Sequence, residues 1–112
     1  MRTNSVVRAT AHPLDHEPVP DEQSVDGAPS TATVDLGVFG GLAVGIWEMT
    51  PGVMRDVESD EVFVVLSGSA AVEFEDGTAP LLLGSGDVVQ LAAGTRTVWR
   101  VTETLRKVYL SA

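Results

Sequence analysis

The sequence predicts an all-β sandwich or barrel, on three observations. Apolar runs of strand length recur from Val34 onward, turn residues close each run, and no segment keeps a helical period across three turns. The runs are VDLGVF (34–39), LAVGIWEM (42–49), EVFVVLSG (61–68), SAAVEFED (69–76), APLLLG (79–84), DVVQLA (87–92), TRTVWRVT (95–102) and LRKVYLS (105–111). Val and aromatic residues are frequent in them, as suits a pleated, half-buried surface. Gly40-Gly41 joins the first two as a hairpin, and Asp76-Gly77 supplies the turn signal of a second. Eight short strands at this spacing make a sandwich or a barrel.

Residues 1–33 read differently. Pro, Asp, Glu, Ser and Ala dominate from Thr10 to Thr33, and Pro13, Pro18, Pro20 and Pro29 forbid a long helix or a central strand there. This stretch is either a flexible arm or an extended one lying across the barrel or a partner subunit. The expected organisation is an arm over 1–33 and one barrel domain over 34–112.

At 112 residues the chain holds one domain, and 44% apolar with 21% charged residues is an ordinary globular composition. A net charge of -9 repels phosphate backbones and anionic lipid, and no basic patch argues for nucleic acid. No apolar run suits a signal peptide or a membrane span, so a soluble, cytoplasmic protein is expected. There is no cysteine, which excludes disulfides, thiolate metal sites and thiol nucleophiles. No Ser–His–acid arrangement or nucleophile elbow is present, and Gly84-Ser85-Gly86 precedes a strand and so is no phosphate loop.

Two glycine-anchored patterns stand about twenty residues apart: Glu61 to Gly68, an acid, a strand and a turn glycine, and Gly84-Ser-Gly-Asp87 running on to Gly94. Together they resemble the two motifs of the cupin superfamily. GIWEMTPG (45–52), DEVFVVLSG (60–68), GSGDVVQLAAGTRTVWRV (84–101) and LRKVYL (105–110) look like the small single-domain cupins related to (S)-ureidoglycine aminohydrolase, of the cupin-3 or DUF861 type. EPVPDEQSVDGAPST (17–31) resembles that group's N-terminal stretch, which favours an ordered arm. The resemblance implies a cupin-type double-stranded β-helix, that is, a jelly-roll barrel with an extended N-terminal arm, and a homodimer.

Metal-binding cupins resemble one another in offering two His and a Glu from the first motif and one His from the second. Here Glu61 keeps the acidic position. The two His positions fall on Arg55 and Val57 with a three-residue spacer, or on Met54 and Asp56 with a four-residue spacer, and the last falls on Thr97. A transition metal needs several imidazole or carboxylate ligands converging on one point, so no metal and no other cofactor is expected. His12 and His16 are spaced i, i+4 in a Pro-flanked arm, where that spacing has no geometric meaning and surface or arm contacts are the expected role. Asp56, Glu58, Asp60 and Glu61 would bind a hard cation weakly or, as is commoner, form a solvated loop ending at the strand.

The cupin resemblance puts Glu61 and Thr97 inward, and strand alternation then turns Phe63 and Val65 inward with the first and Trp99 with the second. Trp47 shares a face with Met49, and Lys107 with Tyr109. The candidate pocket is therefore walled by Trp47, Phe63 and Trp99, with Arg55, Glu61, Thr97 and Tyr109 as polar points. The same rings equally suit a filled barrel core, the commoner use of such residues. Arg55 and Glu61 make either an ion pair at the barrel mouth or an anion clamp with an acid/base partner, and an unpaired Glu61 would have a raised pKa. The leading functional reading is a small-molecule ligand bound in the barrel without a transition metal. The alternatives are a ureidoglycine-aminohydrolase-like or other small-molecule hydrolase or lyase, and a structural or interaction homodimer module.

Overall fold

The computed structural model describes all 112 residues and contains nine strands and no helix. Two short strands, β1 (Glu17–Pro18) and β2 (Ser24–Asp26), precede β3 (Ser30–Phe39), so the division expected at 33/34 falls inside β3. β3 turns back into β4 (Leu42–Met49) through Gly40 and Gly41, whose φ angles of 58° and 80° are those of the hairpin turn the Gly-Gly pair predicts. After Thr50-Pro51 comes β5 (Gly52–Val57), a strand the apolar runs did not announce because only three of its six residues are apolar.

β6 (Glu61–Phe74) and β9 (Arg96–Ser111) each join two of the expected runs into one long strand. The reason in β6 lies at Gly68, where φ is 94° and an added Cβ would stand 2.1 Å from the carbonyl oxygen of Thr104. Register shifts between Val65 and Ala70 bend the strand there rather than ending it. Inward parity accordingly changes from Phe63 and Val65 before the bend to Ala70 and Val72 after it. β7 (Leu81–Leu83) and β8 (Val88–Leu91) complete the chain, and both pair with the outer side of β6.

All pairings are antiparallel. The order is β1-β3-β4-β9-β5-β2, and β6 joins β9 to β7 and β8. β9 is the organising strand: its first half pairs β5, its second half pairs β4, and β6 runs beside both. Switching partners midway curls the sheet into a half-barrel. Thirteen buried residues fill its interior, among them Met49, Met54, Phe63, Val65, Val72, Leu83, Trp99, Val101 and Leu105.

The residues ahead of β3 are tied to this body at several points. Val19 is buried and belongs to the core cluster. Arg106 donates through Nη1 to the carbonyls of Ala9 and His12, at 2.9 and 2.8 Å, and through Nε to Glu48. Glu48 also meets His16 Nε2 at 2.6 Å. Ile46 shares the face of Glu48 and Arg106, away from the core cluster, and is fully buried. The segment from Ala9 to His16 therefore covers the outer face of β4 and β9.

Candidate functional site

One end of the barrel is not filled. A cavity of about 280 Å³ opens there, lined by the aromatic rings of Trp47, Trp99 and Tyr109 and by the charged groups of Asp56, Glu58, Glu61 and Lys107. Thr33, Val57, Ser59 and Ser111 complete its lining. Most of the elements meet at this point because β9 carries Thr97, Trp99, Lys107, Tyr109 and Ser111 on one face, opposite Asp56 of β5, Glu61 of β6 and Trp47 of β4.

Lys107 is the centre of the site. It is 5% exposed, and its ammonium lies 2.7 Å from Glu61 Oε1. The same nitrogen sits 4.1 Å from the ring centroid of Phe63, 4.7 Å from that of Trp47 and 5.0 Å from that of Trp99. Each negative ring face attracts the cation, and a desolvated contact of this kind is worth roughly 2 kcal/mol. The three rings also pack on one another, Trp47 against Trp99 at 5.3 Å and Phe63 against Trp99 at 5.8 Å. An aromatic cage thus holds an ammonium supplied by the chain itself.

The carboxylates are held differently. Glu58 is buried, and its Oε2 accepts hydrogen bonds from Thr97 Oγ1 at 2.7 Å and Trp99 Nε1 at 3.1 Å. Its own backbone is clamped between Thr95 and Gly94. Asp56 is half-buried and accepts the N–H of Val57 at 2.8 Å. Burial, and then the neighbouring charge of Glu58, push the Asp56 carboxyl up to about 6 against the partial relief from the Val57 N–H and Lys107. Tyr109 is raised as well, by burial first and then by Asp35 and Glu61. The tyrosine ring stands where it does because residue 45 is glycine: a Cβ there would fall 2.3 Å from the phenol oxygen.

The expected pocket residues divide. Trp47, Glu61, Trp99 and Tyr109 line the cavity. Phe63 and Thr97 stand just behind it, fully buried, the one under the Lys107 ammonium and the other under Glu58. Arg55 does not join them. It pairs with Val98 on the opposite parity from Asp56 and Thr97, and its side chain is exposed. Neither an Arg55–Glu61 pair nor an unpaired Glu61 exists, because Lys107 takes that carboxylate. The acidic cluster is no solvated loop either. Asp56, Glu58 and Glu61 face the cavity, while exposed Asp60 accepts the backbone N–H of Ala93 at 2.8 Å.

This parity also selects the four-residue spacer. Met54 and Asp56 point inward at the two histidine positions of the cupin pattern, and Met54 is buried in the core. The set at the four ligand positions is then Met54, Asp56, Glu61 and Thr97. It does not fit a transition metal: the ammonium of Lys107 stands on Glu61, Thr97 is spent on Glu58, and no three His, Cys, Asp or Glu side chains converge on one point.

A bent antiparallel barrel, with its second motif starting on a glycine turn and a polar pocket at one end, is a cupin. The chain belongs to the EutQ-like cupin domain family (Cupin_3), whose model matches residues 37–109. No curated protein matches it. Among solved structures it is similar to a DUF861-family protein of unknown function from Pseudomonas syringae pv. tomato, with a TM-score of 0.76 and 22% identity over 91% of this chain and 45% of that one. A putative ethanolamine utilization protein Q from Salmonella typhimurium gives 0.61 and 20%, over 72% of this chain and 68% of that one. A DUF861 family protein from Thermotoga maritima is 31% identical over 60% of this chain and 76% of its own, with a TM-score of 0.56. These likenesses carry the fold. No helix of the chain is long and apolar enough to cross a membrane.

Proposed function

We propose that the open end of this cupin barrel binds a small polar metabolite without a transition metal. One observation carries the reading. The cation that a metal would supply is already present as Lys107, fixed by Glu61 and three aromatic rings, and beside it a cavity of about 280 Å³ is left between Trp47, Asp56, Glu58 and Tyr109. That volume lies near the lower end of the roughly 300–1,000 Å³ usual for ligand sites, which favours a metabolite of modest size. Aromatic walls with a few convergent polar groups are the ordinary make-up of such a site.

A second reading, a hydrolase or lyase on a small metabolite, draws support from Asp56. A carboxyl pushed up to about 6 is matched to proton transfer near neutral pH, and it lines the cavity. A catalysed reaction would use Asp56 as its general acid–base, with Lys107 and Tyr109 as donors to developing negative charge. The homodimer reading is favoured by an apolar strip of Val62, Val64, Val88 and Leu110, cross-strand neighbours exposed on the outer side of β6, β8 and β9. A second copy of the chain is the occupant we propose for it, and sedimentation of the wild type against Val64→Asp tests this.

The chain offers a direct assay. Its only two tryptophans, Trp47 and Trp99, both line the cavity, so intrinsic fluorescence reports on this site without background. A library of small polar metabolites screened by thermal shift and tryptophan emission should yield compounds that change both. If no compound moves either signal, the pocket is not a binding site.

A further inference from the structure

The cavity has an uneven charge balance, and this narrows what it takes. Lys107 is the only cation lining it, and its charge is matched one to one by Glu61. Asp56 and Glu58 remain. Neither has a Lys, Arg or His within ion-pair distance, and the Oε2 of Glu58 is met only by the neutral donors of Thr97 and Trp99. Glu58 is 7% exposed, so a buried carboxylate with no counter-charge faces a cavity. Burying such a charge is expensive unless it is paired. The raised Asp56 carboxyl is the same deficit seen from its neighbour, since the charge of Glu58 is the second cause of that shift.

The walls match the missing charge. Trp47 and Trp99, which already face the ammonium of Lys107, also line the open space. Carboxylates and aromatic walls lining one cavity both attract a cation. An anionic ligand would meet two uncompensated carboxylates, with Lys107 engaged elsewhere. A neutral polyol would find hydrogen-bond acceptors but would leave the charge unmatched.

We propose that the cavity takes a small organic cation, a primary ammonium compound, whose charged end lies against Glu58 and Asp56 and whose carbon chain lies against Trp47 and Trp99. The inference rests on the pocket reading above and names the ligand class for it.

The test uses the full chain and three probes of nearly equal size: n-butylammonium, 1-butanol and butyrate, with glycerol as the neutral polyol. Each is titrated at constant ionic strength while tryptophan emission is recorded. Butylammonium should give a saturable change with a dissociation constant on the order of millimolar, fitting for five heavy atoms, and butanol and butyrate should bind at least tenfold more weakly. Glu58→Gln keeps an oxygen for Thr97 and Trp99 but removes the charge, and it should weaken butylammonium at least tenfold. Asp56→Asn, on a less buried side chain, should do so in the same direction and checks the result should Glu58→Gln fold poorly. Equal binding of butanol and butylammonium overturns the proposal, as does an unchanged affinity in both variants. Binding of glycerol or butyrate in preference to the ammonium overturns it while leaving the pocket intact. Silence of all four probes, together with a metabolite screen in which nothing moves either signal, removes the pocket reading as well.

Discussion

Asp56 gives the sharpest check on how the site is wired. Burial and Glu58 raise its pKa from 3.8 to about 6, so the folded state holds this proton more tightly than the unfolded chain does. Below pH 3.8 the carboxyl is protonated in both states and contributes nothing. Between there and about pH 6 the unfolded chain ionises first, and the folded protein loses relative stability as pH rises. Above about 6 the full cost is present. A shift of about two pKa units corresponds to about 3 kcal/mol at 1.36 kcal/mol per unit. Because the side chain is only half-buried, solvent screening reduces this to about 1–2 kcal/mol. Asp56→Asn should therefore stabilise the protein by about 1–2 kcal/mol at pH 8, raising Tm by several degrees, and should be neutral near pH 3.5. The assay is urea unfolding of both proteins at pH 8, 6 and 3.5, followed by tryptophan emission. A variant that is less stable at pH 8, or equally more stable at every pH, would refute the reasoning: the carboxylate would then be engaged by a partner that offsets its burial.

Three further outcomes follow from the packing. Lys107→Met leaves Glu61 buried and unpaired, with side chains only 6% and 11% exposed in the native pair, and should cost about 3–5 kcal/mol in urea unfolding; adding Glu61→Gln should recover most of it. If the single variant is near neutral, the ammonium is not the cation of this site. Gly68→Ala forces a Cβ to within 2.1 Å of the Thr104 carbonyl at a φ of 94°, so destabilisation of about 3 kcal/mol or more is expected, and a Tm within a degree or two of wild type would contradict the bend. Arg106→Ala removes the donors to Ala9, His12 and Glu48, and proteinase K should then cut within residues 1–16 several-fold faster than in wild type. Unchanged cleavage would mean the segment is held elsewhere.

How far the sequence reads depends on which physical signal each element carries. β4 keeps its expected bounds, and Gly40-Gly41 announces its turn, because a two-residue hairpin with both φ angles positive nearly demands glycine. β6 and β9 are each split in two by the sequence pattern. The glycine and polar residues at their bends look like ends, and only the register across the pair shows continuation. β5 stays hidden in the sequence because its one charged pair, Arg55 and Asp56, interrupts the apolar pattern of a six-residue strand. Without β5 there is no parity to separate Arg55, which points out, from Asp56, which points in. Glu58, one step beyond the strand, looks like loop until Thr97 and Trp99 are seen to hold it. Lys107 was within reach, since it shares a face with Tyr109, which the candidate pocket includes. A buried lysine is rare enough that its burial needed the three rings and Glu61 to become credible.

Lys107 gives the Glu61 carboxylate a physical reason to sit inside an aromatic barrel. With Met54, Asp56 and Thr97 at the positions of the cupin pattern's histidines, a carboxylate among aromatic rings needs another positive charge beside it. Lys107 is that charge, reaching from β9 to a point where Phe63, Trp47 and Trp99 are all within about 5 Å. It differs from a metal in one respect that matters for chemistry. An ammonium offers three donors and no open coordination position, so it cannot activate water as a bound metal does. The proposed binding, and any proton transfer, would fall to the groups that line the cavity beside Lys107: Asp56, Glu58 and Tyr109.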